Sequence, residues 1–250
     1  MKKLRRYHEK FWEIRAANYD KLFWVRDNSY IEELIRLAEF DKGDIVLDVG
    51  SGTGAVAKAI QPYVNHTVAI DISDAMLSKG QWEGISVVKW DISDLLFVNN
   101  LFNKIIARMV FHHIFDELDR VLVRCYDLLK KSGKIIVAEG VPPTDEEEVV
   151  DWYTEMFKYK EERRTFRSNE MALYLKKNGF KDIFQTRHIM KNFSVKNWLE
   201  NSGIDRKRQQ KIVEMHINAN EKIKDVYKMR IINNDCIIET KNIITVGRRN

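Results

Sequence analysis

Cysteine and proline are scarce in this chain, with two of the first and three of the second among 250 residues. Two cysteines cannot build a disulfide-stapled scaffold, and no cysteine–histidine spacing marks a zinc site, so no metal ligands are expected. Cys125 shares an apolar helix face with Leu118, Val121, Leu122 and Leu129, which reads as a core thiol in a reducing compartment. Three prolines leave no linker, and neither repeats nor low-complexity segments occur. No apolar run approaches the roughly eighteen residues of a membrane helix. The basic start, Met1 to His8, has no apolar stretch behind it, which predicts no signal peptide and a cytoplasmic protein. What is present is ordinary globular composition, 44% hydrophobic and 32% charged, enough for one main domain with a full core.

The most informative stretch is Val46-Leu47-Asp48-Val49-Gly50-Ser51-Gly52-Thr53-Gly54. Ile45-Val46-Leu47 has the continuous β-branched character of a strand buried on both faces of a parallel sheet. Three glycines within five positions then let the backbone turn sharply and lie against a ligand. Ala55 to Ile60 reads as a short helix stopped by Pro62. The next apolar run ends in Asp71 and the one after it in Asp91. Gly50-x-Gly52-x-x-Ala55, with Asp71 about twenty residues on, also satisfies the dinucleotide fingerprint, so glycine spacing leaves an NAD-linked oxidoreductase open. Charge favours another ligand. Asp48 would face a pyrophosphate and Asp91 adds a second acid, whereas S-adenosylmethionine brings a sulfonium and an ammonium against one carboxylate.

Asp48-x-Gly50-x-Gly52-x-Gly54, Ala69-Ile70-Asp71-Ile72-Ser73 and Asp91-Ile92 together resemble a class I S-adenosylmethionine-dependent methyltransferase. The nearest branch is the small-molecule one that includes the ubiquinone and menaquinone methyltransferases. The resemblance implies that Gly50, Ser51, Gly52 and Gly54 pack against the methionine and ribose of S-adenosyl-L-methionine, with Asp48 beside them. It implies that Asp71 takes the ribose hydroxyls, that Asp91 takes the adenine amino group, and that Ile72 and Ile92 sandwich the ring. Leu128 to Lys134 resembles the family's turn before its fifth strand, with Ser132 where a glycine is common. Residues 40 to 140 carry the likeness well and the rest in outline.

The periodicity predicts strands at 45–49, 67–71, 85–89, 104–110, 134–139, 182–189 and 242–247, with helices at 29–39, 54–60, 74–80, 116–130 and 168–178. This is an α/β, doubly wound, mainly parallel seven-stranded sheet of Rossmann-like type. Residues 1–40 are expected to form an N-terminal helical lid. Residues 41–194 and 240–250 form the cofactor-binding domain, and 195–239 form a helical insertion that caps the substrate.

Ligands of such sheets sit outside the carboxyl ends of the strands. Tyr19, in the aromatic segment Phe11 to Asp20, is placed to close over the cofactor, with Arg15 as a carboxylate partner. Arg108 is a candidate cofactor or substrate anchor at the end of the fourth strand. His112 and His113 are candidate bases for a hydroxyl acceptor, and strand alternation predicts that only one of them, preferably His112, faces the cofactor.

Residues 1–150 carry 20 Lys+Arg against 24 Asp+Glu, and 151–250 carry 22 against 13. The basic groups Lys158, Lys160, Arg163, Arg164, Arg167 and Arg206, Lys207, Arg208, Lys211 read as solvated helix faces, or as sites for an acidic substrate or RNA. No Asn/Asp-Pro-Pro-aromatic motif follows the fourth strand, which argues against DNA as substrate. The expectation is therefore methyl transfer to a small acceptor, aromatic or anionic, by in-line displacement, in a monomer or homodimer. A cofactor-binding regulatory or RNA-associated protein without small-molecule activity is the alternative of another class.

Overall fold

The computed structural model describes residues 11–94 and 97–250. The basic start, 1–8, lies outside them, as does the first part of the expected lid. Residues 11–16 are helical (α1), and α2 (Asn28–Ala38) follows. Asp27 caps α2 by accepting from the amides of Ser29 and Tyr30.

The sheet begins with β1 (Ile45–Val49), β2 (His66–Asp71), β3 (Ile85–Lys89) and β4 (Phe102–Arg108). It is completed by β5 (Leu129–Val141), β6 (Lys181–Ser194), β7 (Arg230–Ile232) and β8 (Asp235–Arg248). The order is β3-β2-β1-β4-β5-β8-β6, with β7 added to the start of β8. β1 to β5 run parallel, and β8 is antiparallel to β5, β6 and β7. The chain reverses its strand order at β1 and β4, so their carboxyl ends open the crevice where a ligand binds.

Pleat alternation builds two cores. Val46, Ile106, Ile136 and Ala138 face α2, α6 (Glu147–Lys160) and the cap. Leu47, Val49, Ile105, Ala107, Ile135 and Val137 face α5 (Leu118–Leu128) and α7 (Glu170–Lys177). Cys125 lies wholly buried in that second core, its thiol pushed up to about 12 by burial.

Several expected boundaries move. The fourth strand ends at Arg108, and Phe111–His113 form a 3-10 turn instead of its tail. β5 begins at Leu129, so the expected turn at 128–134 is itself strand, bent where the pairing with β4 slips between Phe102 and Lys104. Ser132 sits there at φ +63°, the left-handed region that a glycine fills without cost. The insertion is helical only to 226, as α8 (Val195–Glu200), α9 (Arg206–Ile217) and α10 (Glu221–Val226). Residues 230–232 and 235 onward extend the sheet because Asn233 and Asn234, both at positive φ, turn the β7–β8 hairpin.

Among the described residues, no helix is long and apolar enough to cross a membrane.

Candidate active site

The loop between β1 and α3 (Ala55–Ile60) is built as the sequence suggests. Gly50, Gly52 and Gly54 all hold positive φ. A side chain at Gly50 would collide with Val110, so close packing as well as backbone angle demands glycine there. At Gly52 a Cβ would stand 3.2 Å from Met76 and 3.7 Å from the Tyr19 ring. Tyr19 therefore lies over the glycine loop, and Thr53 donates to Asp20 at 2.6 Å beside it.

The acids behave differently from one another. Asp71 accepts from Gly52 N at 2.8 Å through one oxygen and from Ser73 N at 2.8 Å through the other, which fixes it against the loop. Burial raises its carboxyl, while the Ser73, Gly52 and Ile72 amides pull it back. Asp48 is buried beneath the loop and accepts from Ala57 N at 3.1 Å. Burial pushes it up to about 7, with Arg108 opposing. Asp91 is half-buried and accepts from Ser93 N and Oγ. Ile72 is half-exposed next to Asp71, whereas Ile92 is buried in the core below the sheet. Ser51 Oγ, in the same loop, is buried without a hydrogen-bond partner among the described residues. The cradle, its orphaned hydroxyl and the fixed Asp71 suit the methionine and ribose of S-adenosylmethionine.

Arg108 is buried, its guanidinium carbon 5.4 Å from the Trp24 ring and 5.7 Å from Tyr30, and its Nη1 has no hydrogen-bond partner among the described residues. Arg15 Nη1 is 2.7 Å from Glu161 Oε2, while its buried Nε has no hydrogen-bond partner among the described residues.

Beyond the loop lies a cavity with about 870 Å³ of atom-free space, its open mouth included. Tyr19, Trp24, Tyr153, Phe157 and Trp198 supply aromatic walls. Both His112 and His113 line it, and the strand alternation that would turn them to opposite sides does not apply here. Alternation holds for strands, and these residues sit on a 3-10 turn.

His112 Nδ1 is 2.6 Å from Glu139 Oε2. Glu139 Oε1 in turn accepts from the backbone amides of Val110, Phe111 and His112 at 3.1, 2.6 and 3.4 Å. Burial pushes Glu139 up to about 7, against Arg163 and the Phe111 and Val110 amides. With Glu139 ionised, the hydrogen of His112 sits on Nδ1, and Nε2, 4.0 Å from Glu161 Oε1, is the ring's acceptor. Burial first, then Arg163, holds His112 well below the usual histidine value, and burial with His112 does the same to His113.

Glu139 and Glu161 were not foreseen, since 27 and 49 residues separate them from His112 and no spacing announces them. The one signal was Lys160-Glu161-Glu162-Arg163, a mixed-charge run at a helix end. Lys160 and Glu161 form a buried ion pair, and Arg163 Nη1 stands 3.8 Å from Glu161 Oε1. Burial and Arg15 push the Lys160 ammonium down to about 7. Lys160 and Arg163 are thus internal and not part of a solvated face, whereas Arg206, Lys207 and Lys211 are exposed.

One nitrogen of each histidine and a Glu161 oxygen lie within 4.8 Å of one another, a donor set the sequence did not suggest. Arg15, Lys160 and Arg163 crowd the same carboxylate, so the local field repels a dication and attracts an anion.

Residues 47–137 match the family described as Methyltransferase domain. The uncharacterized methyltransferase YcgJ of Bacillus subtilis is 23% identical over 204 residues, 78% of this chain and 79% of that one. Its crystal structure superposes with a TM-score of 0.76 at 18% identity, covering 89% of this chain and 99% of that one. The ubiquinone/menaquinone biosynthesis C-methyltransferase UbiE of Coxiella burnetii is 29% identical over 153 residues, 53% of this chain and 59% of that one. Phosphoethanolamine N-methyltransferase 2 of Haemonchus contortus, solved with phosphomonomethylethanolamine and S-adenosylhomocysteine, gives a TM-score of 0.61 at 19% identity, covering 94% of this chain and 57% of that one. With its cradle, its crevice and these relatives, the chain is a class I S-adenosylmethionine-dependent methyltransferase that resembles the ubiquinone/menaquinone methyltransferases.

Proposed function

We propose that the protein methylates a small, flat acceptor bearing an anionic group, bound in the aromatic cavity, and that His112 removes the acceptor's proton. One observation carries the reading: Tyr19 belongs at once to the wall of that cavity and to the cover of the glycine loop, so donor and acceptor spaces adjoin.

Gly50, Ser51, Gly52, Gly54, Asp71, Ile72 and Asp91 would hold S-adenosylmethionine, with Tyr19 above and Asp48 bracing the loop from below. Ile92 supports Asp91 from the core, and Arg108 contributes positive charge beside Asp48. When bound, S-adenosylmethionine supplies an electrophilic methyl group. The chain's own groups act on the acceptor. His112 Nε2 accepts the proton of a hydroxyl, and Glu139 stabilises the imidazolium through Nδ1. Arg15, Lys160 and Arg163 favour an anionic acceptor, and they lower the pKa of its hydroxyl by the same field that depresses His112. The rings of Trp24, Phe157 and Trp198 suit a flat body. The relatives' names span a quinone nucleus and a phosphate ester, which agrees with an acceptor that is part ring and part anion. Two free, buried thiols agree with a cytoplasmic location.

The test is calorimetric titration with S-adenosylmethionine and S-adenosylhomocysteine, followed by a screen of phenols, quinols and hydroxy acids for release of S-adenosylhomocysteine. Micromolar cofactor binding that disappears in Asp71→Ala, with turnover confined to anionic acceptors and lost in His112→Ala, is expected. Turnover of neutral amines unaffected by His112→Ala would sink the reading. An RNA-associated role is less well supported, because Lys160 and Arg163 point inward.

A further inference from the structure

His216 and Tyr227 stand in the cap, and no step of methyl transfer calls for either. Both line the cavity and both are buried. His216 Nδ1 is 2.7 Å from the Ile212 carbonyl one turn earlier on α9. A carbonyl only accepts, so the hydrogen sits on Nδ1 and Nε2 is a bare acceptor. With Nδ1 turned back to its own helix, Nε2 is the edge that leaves α9. It has no protein partner among the described residues, nor has Tyr227 Oη. A buried polar atom without a partner is costly, and two of them on residues that line one cavity call for a ligand.

Their position is fixed by Trp152 on α6, whose ring centroid is 5.1 Å from His216 and 5.2 Å from Tyr227. Lys160 lies eight residues further along the same helix, about 12 Å at a rise of about 1.5 Å per residue. The cavity therefore has two polar ends with Tyr153, Met156 and Phe157 between them.

We propose that His216 and Tyr227 form a second recognition site, which takes a hydroxyl or amino N–H at the far end of an elongated acceptor. The inference rests on the methyl-acceptor reading above and deepens it: the acceptor carries an anion at the Lys160 end and a hydrogen-bond donor about 10–12 Å away. A hydroxyl donates to His216 Nε2, while Tyr227 Oη either donates to that hydroxyl or accepts from an amine.

The experiment titrates the full chain, loaded with S-adenosylhomocysteine, with two pairs of acids: 4-hydroxycinnamate against cinnamate, and 8-hydroxyoctanoate against octanoate. Within at least one pair the hydroxylated acid is expected to bind tenfold or more tightly. That gap should fall below twofold in His216→Leu and in Tyr227→Phe, with the plain acid unaffected. Thermal melting and S-adenosylhomocysteine affinity of the variants certify their folding, and Tyr227→Phe keeps the ring. In Lys160→Met both members of a pair should weaken together. Plain acids that bind and lose affinity in Lys160→Met, without any hydroxyl gap, would leave the anionic acceptor standing and overturn this inference. So would a gap that survives both cap variants, or a failure of all four acids to bind.

Discussion

At the scale of single residues, His112 and Ser132 each follow from a local angle or contact. His112 is held by Glu139, itself pinned by three backbone amides. His112→Gln should lower kcat with a hydroxyl acceptor by about 10²–10⁴-fold, and Glu139→Gln by less, with S-adenosylhomocysteine affinity unchanged in both. The pH dependence has a defined sign. Burial lowers the folded pKa of His112 below 6.5, so the imidazole is neutral and able to accept a proton at neutral pH. The acid limb of the kcat profile should therefore lie well below pH 6.5, and a limb centred at or above 6.5 would contradict the assignment. Folding carries the same sign. Below 6.5 the unfolded chain takes up the proton first, so this group's contribution to stability falls as pH drops toward its folded value. Ser132 is simpler. Its left-handed φ of +63° should make Ser132→Gly more stable by about 1 kcal/mol, read as a rise of a few degrees in Tm.

The elements gather charges that no single segment contains. The C-terminal end of α6 delivers Lys160 and Glu161, and α1 delivers Arg15 to the same carboxylate. Glu161 is shared by Arg15, Lys160 and Arg163, so removing it strands three cations, whereas removing Arg15 leaves the carboxylate two partners. Glu161→Gln should thus cost about 3–5 kcal/mol and Arg15→Met only about 1.5–3 kcal/mol, measured by urea unfolding. An equal loss in the two variants would show that the carboxylate is not the hub. Sequence could not announce this hub. The strand–glycine–helix unit and Asp71 were legible because one βαβ segment contains them, and the seven main strands were legible from apolar runs. Glu139 and Glu161 reach His112 only through the pairing of β4 with β5 and the return of α6 over the crevice. The strand part of 230–239 was missed because Arg230 to Ile232 are exposed and lack the alternation that marks a half-buried strand.

Over the whole molecule, the N-terminal segment 11–25 and the helical segment 195–226, which we propose as lid and cap, are tied to one another. Asn197, in α8 of the cap, accepts from Phe23 N at 3.0 Å and donates to the Lys21 carbonyl at 3.2 Å. Gly203, in the turn after α8, leaves no room for a side chain against Ile14, where a Cβ would come within 2.9 Å. The lid in turn rests on the glycine loop through Tyr19 and through the hydrogen bond from Thr53 to Asp20. These contacts predict that a ligand ordering the loop orders Tyr19, the 3-10 turns at Tyr19–Lys21 and Phe23–Val25, and through Asn197 the segment more than 170 positions away. Binding of S-adenosylhomocysteine should slow amide exchange first in 50–54 and 19–25 and then in 195–204. In Asn197→Ala the protection of 50–54 and 19–25 should persist while that of 195–204 falls by about half or more. If 195–204 stays equally protected in the variant, the coupling runs through the sheet and not through this contact. If 195–204 never responds to the cofactor, the cap is set by the acceptor alone.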